Sequence, residues 1–352
     1  SSGSTIFGDS SDDTHQFTGS LHISGSGISF DAGTGNTFFG TGAGSNNTTG
    51  TNSTLIGVNA GYNNTTGTLI AIGTSAGYSQ VGAIYTSLYI GNDAGKYINK
   101  NYNTIIGNNA MGGGDTTAAN NAASGITAIG YGAYGGGVGT GDDIDAHTAV
   151  AIGYKALNKI QSGNYNLAIG SSAMEVHTTG EMNIAIGQNA MNDTDAGSTS
   201  LGSTRNIFMG YDAGGGTWAD AASSYNVAIG HYTMDGVLNA ATHNTAIGDY
   251  AGKSITSGDD NVMVGSAAGD AITSGIRNVT IGRYAGSAIN TGYSNITIGY
   301  AAGDAMTDTV STVLIGEGAG GAINSTDANG TVAIGYNAGK AITSGRYNTV
   351  VG

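Results

Sequence analysis

The stretch Asn244-Thr245-Ala246-Ile247-Gly248 decides the fold of this chain, because close variants of it recur along the whole sequence. It has the pattern of a short β-strand that ends on glycine, and residues 166–170, 278–282 and 348–352 are further copies. The terminal glycines are Gly8, Gly40, Gly57, Gly73, Gly91, Gly107, Gly130, Gly153, Gly170, Gly187, Gly210, Gly230, Gly248, Gly265, Gly282, Gly299, Gly316, Gly335 and Gly352. Their commonest spacing, about 17 residues, predicts an all-β-dominated solenoid of stacked coils.

The composition supports a repeat fold and excludes several function classes. Gly contributes 64 of the 352 residues while Pro is absent, which argues against collagen and against a disordered linker. The net charge is −14 and the sequence has no basic patch, so nucleic acid is not an expected partner. Cys is absent, so disulfides and thiolate metal sites are excluded. No apolar stretch is long enough to span a membrane.

The spacing of the glycines divides the chain into two parts. Residues 1–35 lack the regular repeat and are predicted to form an N-terminal cap or a junction with a shaft. Residues 36–352 form the predicted solenoid, with longer, loop-bearing coils at 108–153 and 188–230. Insertions in a solenoid map to loops on one edge, which is often the binding edge. The chain begins at Ser1 and stops on a repeat glycine, so we expect a piece of a longer chain or a processed product.

Positions in a coil are numbered from the terminal glycine, which is position zero. Positions −1 and −3, such as Ile247, Thr245 and Ile281, carry β-favouring residues in every copy. Side chains alternate across a strand, so these two positions share a face. We predict that this face fills the coil. Position −2, where Ala246 lies, then points outward and packs closely against a neighbour.

The residues around the strand predict how each coil turns. Asn244 at position −4 recurs at most strands, and stacked asparagines would form a ladder that bonds the backbone of the turn. Gly248 and Gly282 permit a sharp exit from the strand. Beyond the glycine, Ala at +3 and Ile or Met at +7 fit a short helical or irregular arm better than a second strand, which remains the alternative.

The predicted coil is too thin to be stable on its own. Ordering 17 residues costs roughly 17–34 kcal/mol of backbone entropy, whereas about four apolar side chains return roughly 1.5–3 kcal/mol each. Small residues at −2, +3 and +4 would let the solenoid pack against further copies of the same chain. A threefold bundle is the simplest closed arrangement, so we expect a homotrimeric β-roll or β-helix.

Residue patterns that support catalysis or metal binding are missing from the sequence. The six His residues are scattered without the spacing of metal ligands, and only three Glu residues are present. Asp142, Asp143 and Asp145 could form a carboxylate pair of the glycosidase type, but a solvated loop explains them better. We therefore expect no enzyme, no cofactor and no metal site.

The 19 Tyr residues are the most distinctive polar-aromatic feature. Many of them follow the strand at +1 or +2, where packing between coils at the rim is the simplest interpretation. Aromatic faces with polar tips also suit wet carbohydrate surfaces. Trp218, Tyr131, Tyr154 and Tyr211 are the candidate glycan contacts, with Trp218 the strongest because it lies in a long coil.

The repeat Asn-Thr-Ala-Ile-Gly-x-x-Ala-Gly-x-x-Ile-Thr-Ser-Gly at 244–258 resembles repeats of bacteriophage tail fibres that carry a cleaved C-terminal intramolecular chaperone. The strands are also similar to the head repeats of trimeric autotransporter adhesins, which form a left-handed parallel β-roll in a trimer. The resemblance implies a homotrimeric structural segment of a virion or a cell surface, joined at its ends to other fibre proteins.

A tail-fibre segment would act as a rigid spacer that also offers a surface for host glycans. The alternatives are a bacterial adhesin or self-assembling extracellular filament, and a tailspike-type polysaccharide depolymerase, which the scarcity of Glu disfavours. An ice-binding solenoid is disfavoured because the residue at −2 changes from coil to coil.

Overall fold

The computed structural model describes residues 35–79, 86–98, 100–112, 123–135, 147–194, 202–219 and 221–352. Within them are 18 β-strands and one 3-10 helix, Thr326–Ala328. The predicted cap at 1–35 lies outside the described residues except for its last one, and so do parts of both regions of long coils. The strands are β1 (Thr37–Phe39), β2 (Thr54–Ile56), β3 (Leu69–Ile72), β4 (Ser87–Ile90), β5 (Thr104–Ile106), β6 (Thr127–Ile129), β7 (Val150–Ile152), β8 (Leu167–Ile169), β9 (Ile184–Ile186), β10 (Ile207–Met209), β11 (Val227–Ile229), β12 (Thr245–Ile247), β13 (Val262–Val264), β14 (Val279–Ile281), β15 (Ile296–Ile298), β16 (Val313–Ile315), β17 (Val332–Ile334) and β18 (Thr349–Val351).

All 18 strands belong to one parallel sheet in which each strand pairs with the next strand of the chain. The register is constant, so that Ala246 of β12 lies beside Ala228 of β11 and beside Met263 of β13. Equivalent positions of successive coils therefore form straight rows. The prediction of an all-β solenoid of stacked coils is confirmed.

The prediction of which strand face lies inside the coil is wrong. Position −2 is fully buried from Leu55 in β2 to Ala333 in β17, and Ala246 belongs to this buried row. Positions −1 and −3 face outward, and Ile247 keeps 39% of its surface exposed. Alternation defines two faces but does not say which one is inside, and in this chain the larger side chains are on the outer face.

The small residues at −2 belong to an interior that the two sides of the coil fill together. Where −2 is Ala168 or Ala185, position +4 is a buried Met, Met174 or Met191. Where −2 is Phe208, position +4 is glycine, and a Cβ there would lie 2.5 Å from the Phe208 ring. Interiors tolerate neither voids nor overlaps, so a large residue on one side requires a small one opposite.

The arm after the strand is a chain of tight turns and is neither a helix nor a second strand. The Ala251 N–H donates to the Gly248 carbonyl at 3.3 Å, and the Ile255 N–H donates to the Gly252 carbonyl at 3.1 Å. Successive N–H groups of the arm donate alternately within their own coil and to the next coil. The Gly252 N–H, for example, donates to the Ala268 carbonyl of the next coil at 3.0 Å. Each coil is thus bonded to its neighbours along the arm as well as along the strand.

The terminal glycines form a column that only glycine can occupy. Gly248 has a φ of +136°, and a Cβ atom on it would lie 2.6 Å from the backbone carbonyl of Gly265. Backbone strain and a steric overlap therefore act together at this position. The column allows successive coils to stack closely where the strand turns into the arm.

Candidate functional site

The predicted asparagine ladder is present and explains the register of the stack. The Asn244 N–H and Nδ2 both donate to Oδ1 of Asn226, at 3.0 and 3.1 Å, and Nδ2 also donates to the Gly258 carbonyl at 2.7 Å. Asn244 Oδ1 accepts from the N–H and Nδ2 of Asn261. The same pattern runs from Asn166 to Thr312, always with buried side chains. These asparagines have a structural role.

The sheet face, defined as the side chains at −1 and −3 of β1–β18, is a continuous and mainly apolar surface along the stack. Position −1 is Ile, Val, Met or Phe in every strand, and position −3 is Thr or an aliphatic residue. Ile247 and Ile281, predicted to be interior, lie on this face and are more than one third exposed. No charged side chain occurs at either position of the 18 strands.

The size of the sheet face marks it as an interaction surface. Eighteen strands spaced at about 4.8 Å give a length of about 80 Å, and three residues per strand give a width of about 10 Å. The resulting footprint of about 800 Å², which includes a threonine at −3 in six strands, is larger than the roughly 300–600 Å² of the largest apolar patch on a typical monomer. It matches the roughly 800 Å² that each partner contributes to a stable interface.

The strongest predicted glycan contact, Trp218, is not accessible to a ligand. Trp218 is fully buried, its ring packs against Phe208 at 5.6 Å between centroids, and its Nε1 donates to the Gly214 carbonyl at 3.0 Å. The prediction is wrong because the long coil folds its aromatic residue into the core. Leu238, the equivalent residue of the next coil, is buried in the same way.

The three predicted tyrosine contacts lie on the arm side of the coils and pack against other aromatic residues. Tyr131 and Tyr154 stack at 5.6 Å with an angle of 12° between their rings. Tyr211 meets the edge of Tyr232 at 5.3 Å, and the Lys155 ammonium lies 5.5 Å from the Tyr154 ring. Rim packing therefore accounts for much of their surface, although half of Tyr131 and of Tyr154 remains exposed.

A different pair of tyrosines borders an open groove of about 260 Å³. We call it the tyrosine groove; its lining residues are Tyr300, Ala301, Asp304, Glu317, Gly318, Gly321, Tyr336, Asn337 and Lys340. Two of these residues, Tyr300 and Tyr336, are 51% and 71% exposed. The sequence contained a signal for it, since Gly321 occupies position +5, where neighbouring coils carry Asp304 and Lys340.

One histidine is deeply buried and serves the core. His177 occupies position +7, where later coils have Ile or Met. Its Nε2 donates to the Gly180 carbonyl at 3.0 Å, so Nδ1 accepts from the Thr194 hydroxyl at 2.9 Å. Burial lowers the pKa of His177 to about 4, against the Gly180 hydrogen bond that raises it. The imidazole is therefore neutral at pH 7.

Metal chemistry and membrane insertion find no support in the part of the chain that the structure describes. No group of three or more His, Cys, Asp or Glu side chains converges there on a position that could hold a metal ion. The same residues include no helix with the length and apolarity needed to cross a bilayer.

Comparison with protein-family models, with curated proteins and with solved structures found no match to this chain. A functional proposal therefore depends on the sheet face and the tyrosine groove.

Proposed function

We propose that this chain is a rigid segment of a homotrimeric fibre, in which three copies cover one another's sheet faces. The observation that carries the proposal is the apolar sheet face, which follows the stack over all 18 strands without a charged residue. Water-exposed apolar surface of this extent is unfavourable, and a second copy of the chain offers rows with the same spacing. Closed cyclic symmetry covers the face in every copy.

The regularity of the rows favours self-association in register. Ile229, Ile247 and Val264 stand beside one another on successive strands. In a second copy aligned with the first, each row meets a row of the same period, so that ridges and grooves can interdigitate along the whole length. A globular partner would match this period over only a few strands.

The stack itself supports the role of a spacer. Its register is held by the asparagine ladder, by strand pairing and by the bonds between arms. Bending the stack would have to stretch several of these rows at once.

We assign the segment to a bacteriophage tail fibre, with other virion proteins at its ends, because its repeats resemble those of such fibres. Electron microscopy of the particle that carries the chain would test this, since a rod on a bacterial surface would favour the adhesin alternative.

The trimer is tested by placing charge on the sheet face. In the double variant I247K/I281K, two ammonium groups per copy would be buried between copies, which is strongly unfavourable. We expect sedimentation to show a shift from trimer toward monomer. The matched control S257K/T291K places the same charges on exposed arm positions and should remain trimeric. Equal masses for the two variants would contradict the proposed interface.

A further inference from the structure

The tyrosine groove is built by three successive coils in register. Tyr300, Glu317 and Tyr336 all occupy position +1, two residues after the paired strand positions Ile298, Ile315 and Ile334. Backbone hydrogen bonds hold this row, because the Gly318 N–H donates to the Tyr300 carbonyl at 2.9 Å and the Asn337 N–H donates to the Glu317 carbonyl at 2.8 Å. The two tyrosines are therefore fixed two coils apart.

The middle coil places Glu317 between them in this row, but it leaves space open beside the row. It carries Gly318 at +2 and Gly321 at +5. A Cβ atom on Gly321 would lie 3.6 Å from Asp304 Oδ1 and 3.9 Å from Lys340 Cγ, so this glycine separates the two charged side chains. The groove is thus a gap in the arm surface that arises because one coil lacks the side chains its neighbours have.

The width of the gap suits one saturated ring. Two steps of about 4.8 Å separate the backbones of Tyr300 and Tyr336 by about 9.6 Å. A ring that lies over the two glycines and touches both tyrosines needs about 3.5–4 Å to each, or about 7–8 Å in all. By contrast, Tyr131 and Tyr154 come from consecutive coils and stack directly on each other at 5.6 Å, which leaves no space for a ligand between them.

The polar groups around the gap match a sugar that carries hydroxyl groups. The carboxylates of Asp304 and Glu317 accept hydrogen bonds, whereas Lys340 and the Asn337 amide can donate them. The three charged groups leave the groove with a net negative charge, and the whole chain carries −14. A uronic or sialic acid would be repelled, whereas a neutral ring would not be.

We propose that the tyrosine groove binds a neutral pyranose of a surface glycan, with the ring over Gly318 and Gly321 in contact with Tyr300 and Tyr336, and its hydroxyl groups on Asp304, Glu317 and Asn337. This inference deepens the proposed fibre function and rests on it, since it supplies the carbohydrate contact of a fibre that attaches to a cell. A homotrimeric fibre would present three such grooves and gain avidity from them.

The test measures binding of methyl glycosides of glucose, galactose, mannose, N-acetylglucosamine and glucuronic acid to the intact chain by saturation-transfer NMR and calorimetry. We expect at least one neutral glycoside to bind and the glucuronide to bind more weakly. Y300A/Y336A should lower the affinity by about tenfold or more, since each aromatic contact contributes a measurable part of it. G321Q should block the groove without backbone strain, because Gly321 does not have a left-handed conformation.

The matched control is Y131A/Y154A, which removes a half-exposed tyrosine pair that has no gap between its rings. It should bind the glycoside as the unmodified chain does. The inference is overturned if no neutral glycoside binds the unmodified chain, if the glucuronide binds best, or if G321Q leaves binding intact. Sedimentation of the same samples separates the two proposals, because a trimer without binding refutes only the groove and a binding monomer refutes only the fibre.

Discussion

Removing one asparagine from the ladder should destabilise the stack far more than removing one from its surface. In N244A the Asn261 N–H loses its acceptor at 3.1 Å, and the Gly258 carbonyl loses its donor at 2.7 Å. Asn261 Nδ2 keeps its bond to Gly275, and Asn226 Oδ1 keeps the backbone donor of residue 244. Each buried group left without a partner costs about 1–3 kcal/mol, so the expected loss is about 2–6 kcal/mol.

The assay for this variant is native-state hydrogen exchange, because a stack of repeats need not unfold in one step. An opening free energy lowered by 2–6 kcal/mol corresponds to exchange at the Asn261 amide that is faster by about 30-fold to 10⁴-fold. The control N324A removes an exposed asparagine of the arm and should change stability by less than about 0.5 kcal/mol. Exchange at Asn261 that is unchanged in N244A would refute the structural role of the ladder.

Two further variants probe the glycine column and the buried histidine. G248A places a Cβ 2.6 Å from the Gly265 carbonyl at a φ of +136°. We therefore expect thermal or denaturant unfolding to show a free energy of unfolding lower by at least about 2 kcal/mol. Gly321 has neither restriction, so G321A should be as stable as the unmodified chain. The pKa of His177 is about 4 in the folded chain, below its ordinary value of 6.5. The contribution of the neutral imidazole to the free energy of unfolding is therefore fully present above pH 6.5, and up to about 3 kcal/mol is lost as the pH falls toward 4. H177I should remove this part of the acid sensitivity, whereas H231Q, at an exposed site, should retain it; identical acid profiles of the unmodified chain and H177I would contradict the assignment.

The periodicity of the sequence predicted the strands, the parallel stack and the ladder, because each follows from local geometry repeated at a fixed spacing. Asn244 and Gly248 could be assigned roles from their chemistry alone, since few residues suit a buried turn or a crowded backbone. Local geometry did not predict which face of the strand lies inside the coil. Ala246 is small because the interior is narrow and because position +4 or +7 fills it from the other side, which a single strand does not reveal.

The sites were harder to predict than the fold, because exposure depends on how each coil closes. Trp218 lies in a long coil and was expected to be exposed, yet it fills the core beside Phe208. The tyrosine groove depends on the absence of side chains at Gly318 and Gly321 between two tyrosines 36 residues apart, at 300 and 336. Only the register of three coils brings these features together.

The solution mass of the intact, folded chain tests the central claim most directly. Sedimentation equilibrium should give about 104 kDa, three times the 34.7 kDa of one chain. The trimer should persist on dilution and dissociate in I247K/I281K. A stable, folded monomer of 34.7 kDa with its sheet face open to water would contradict the account.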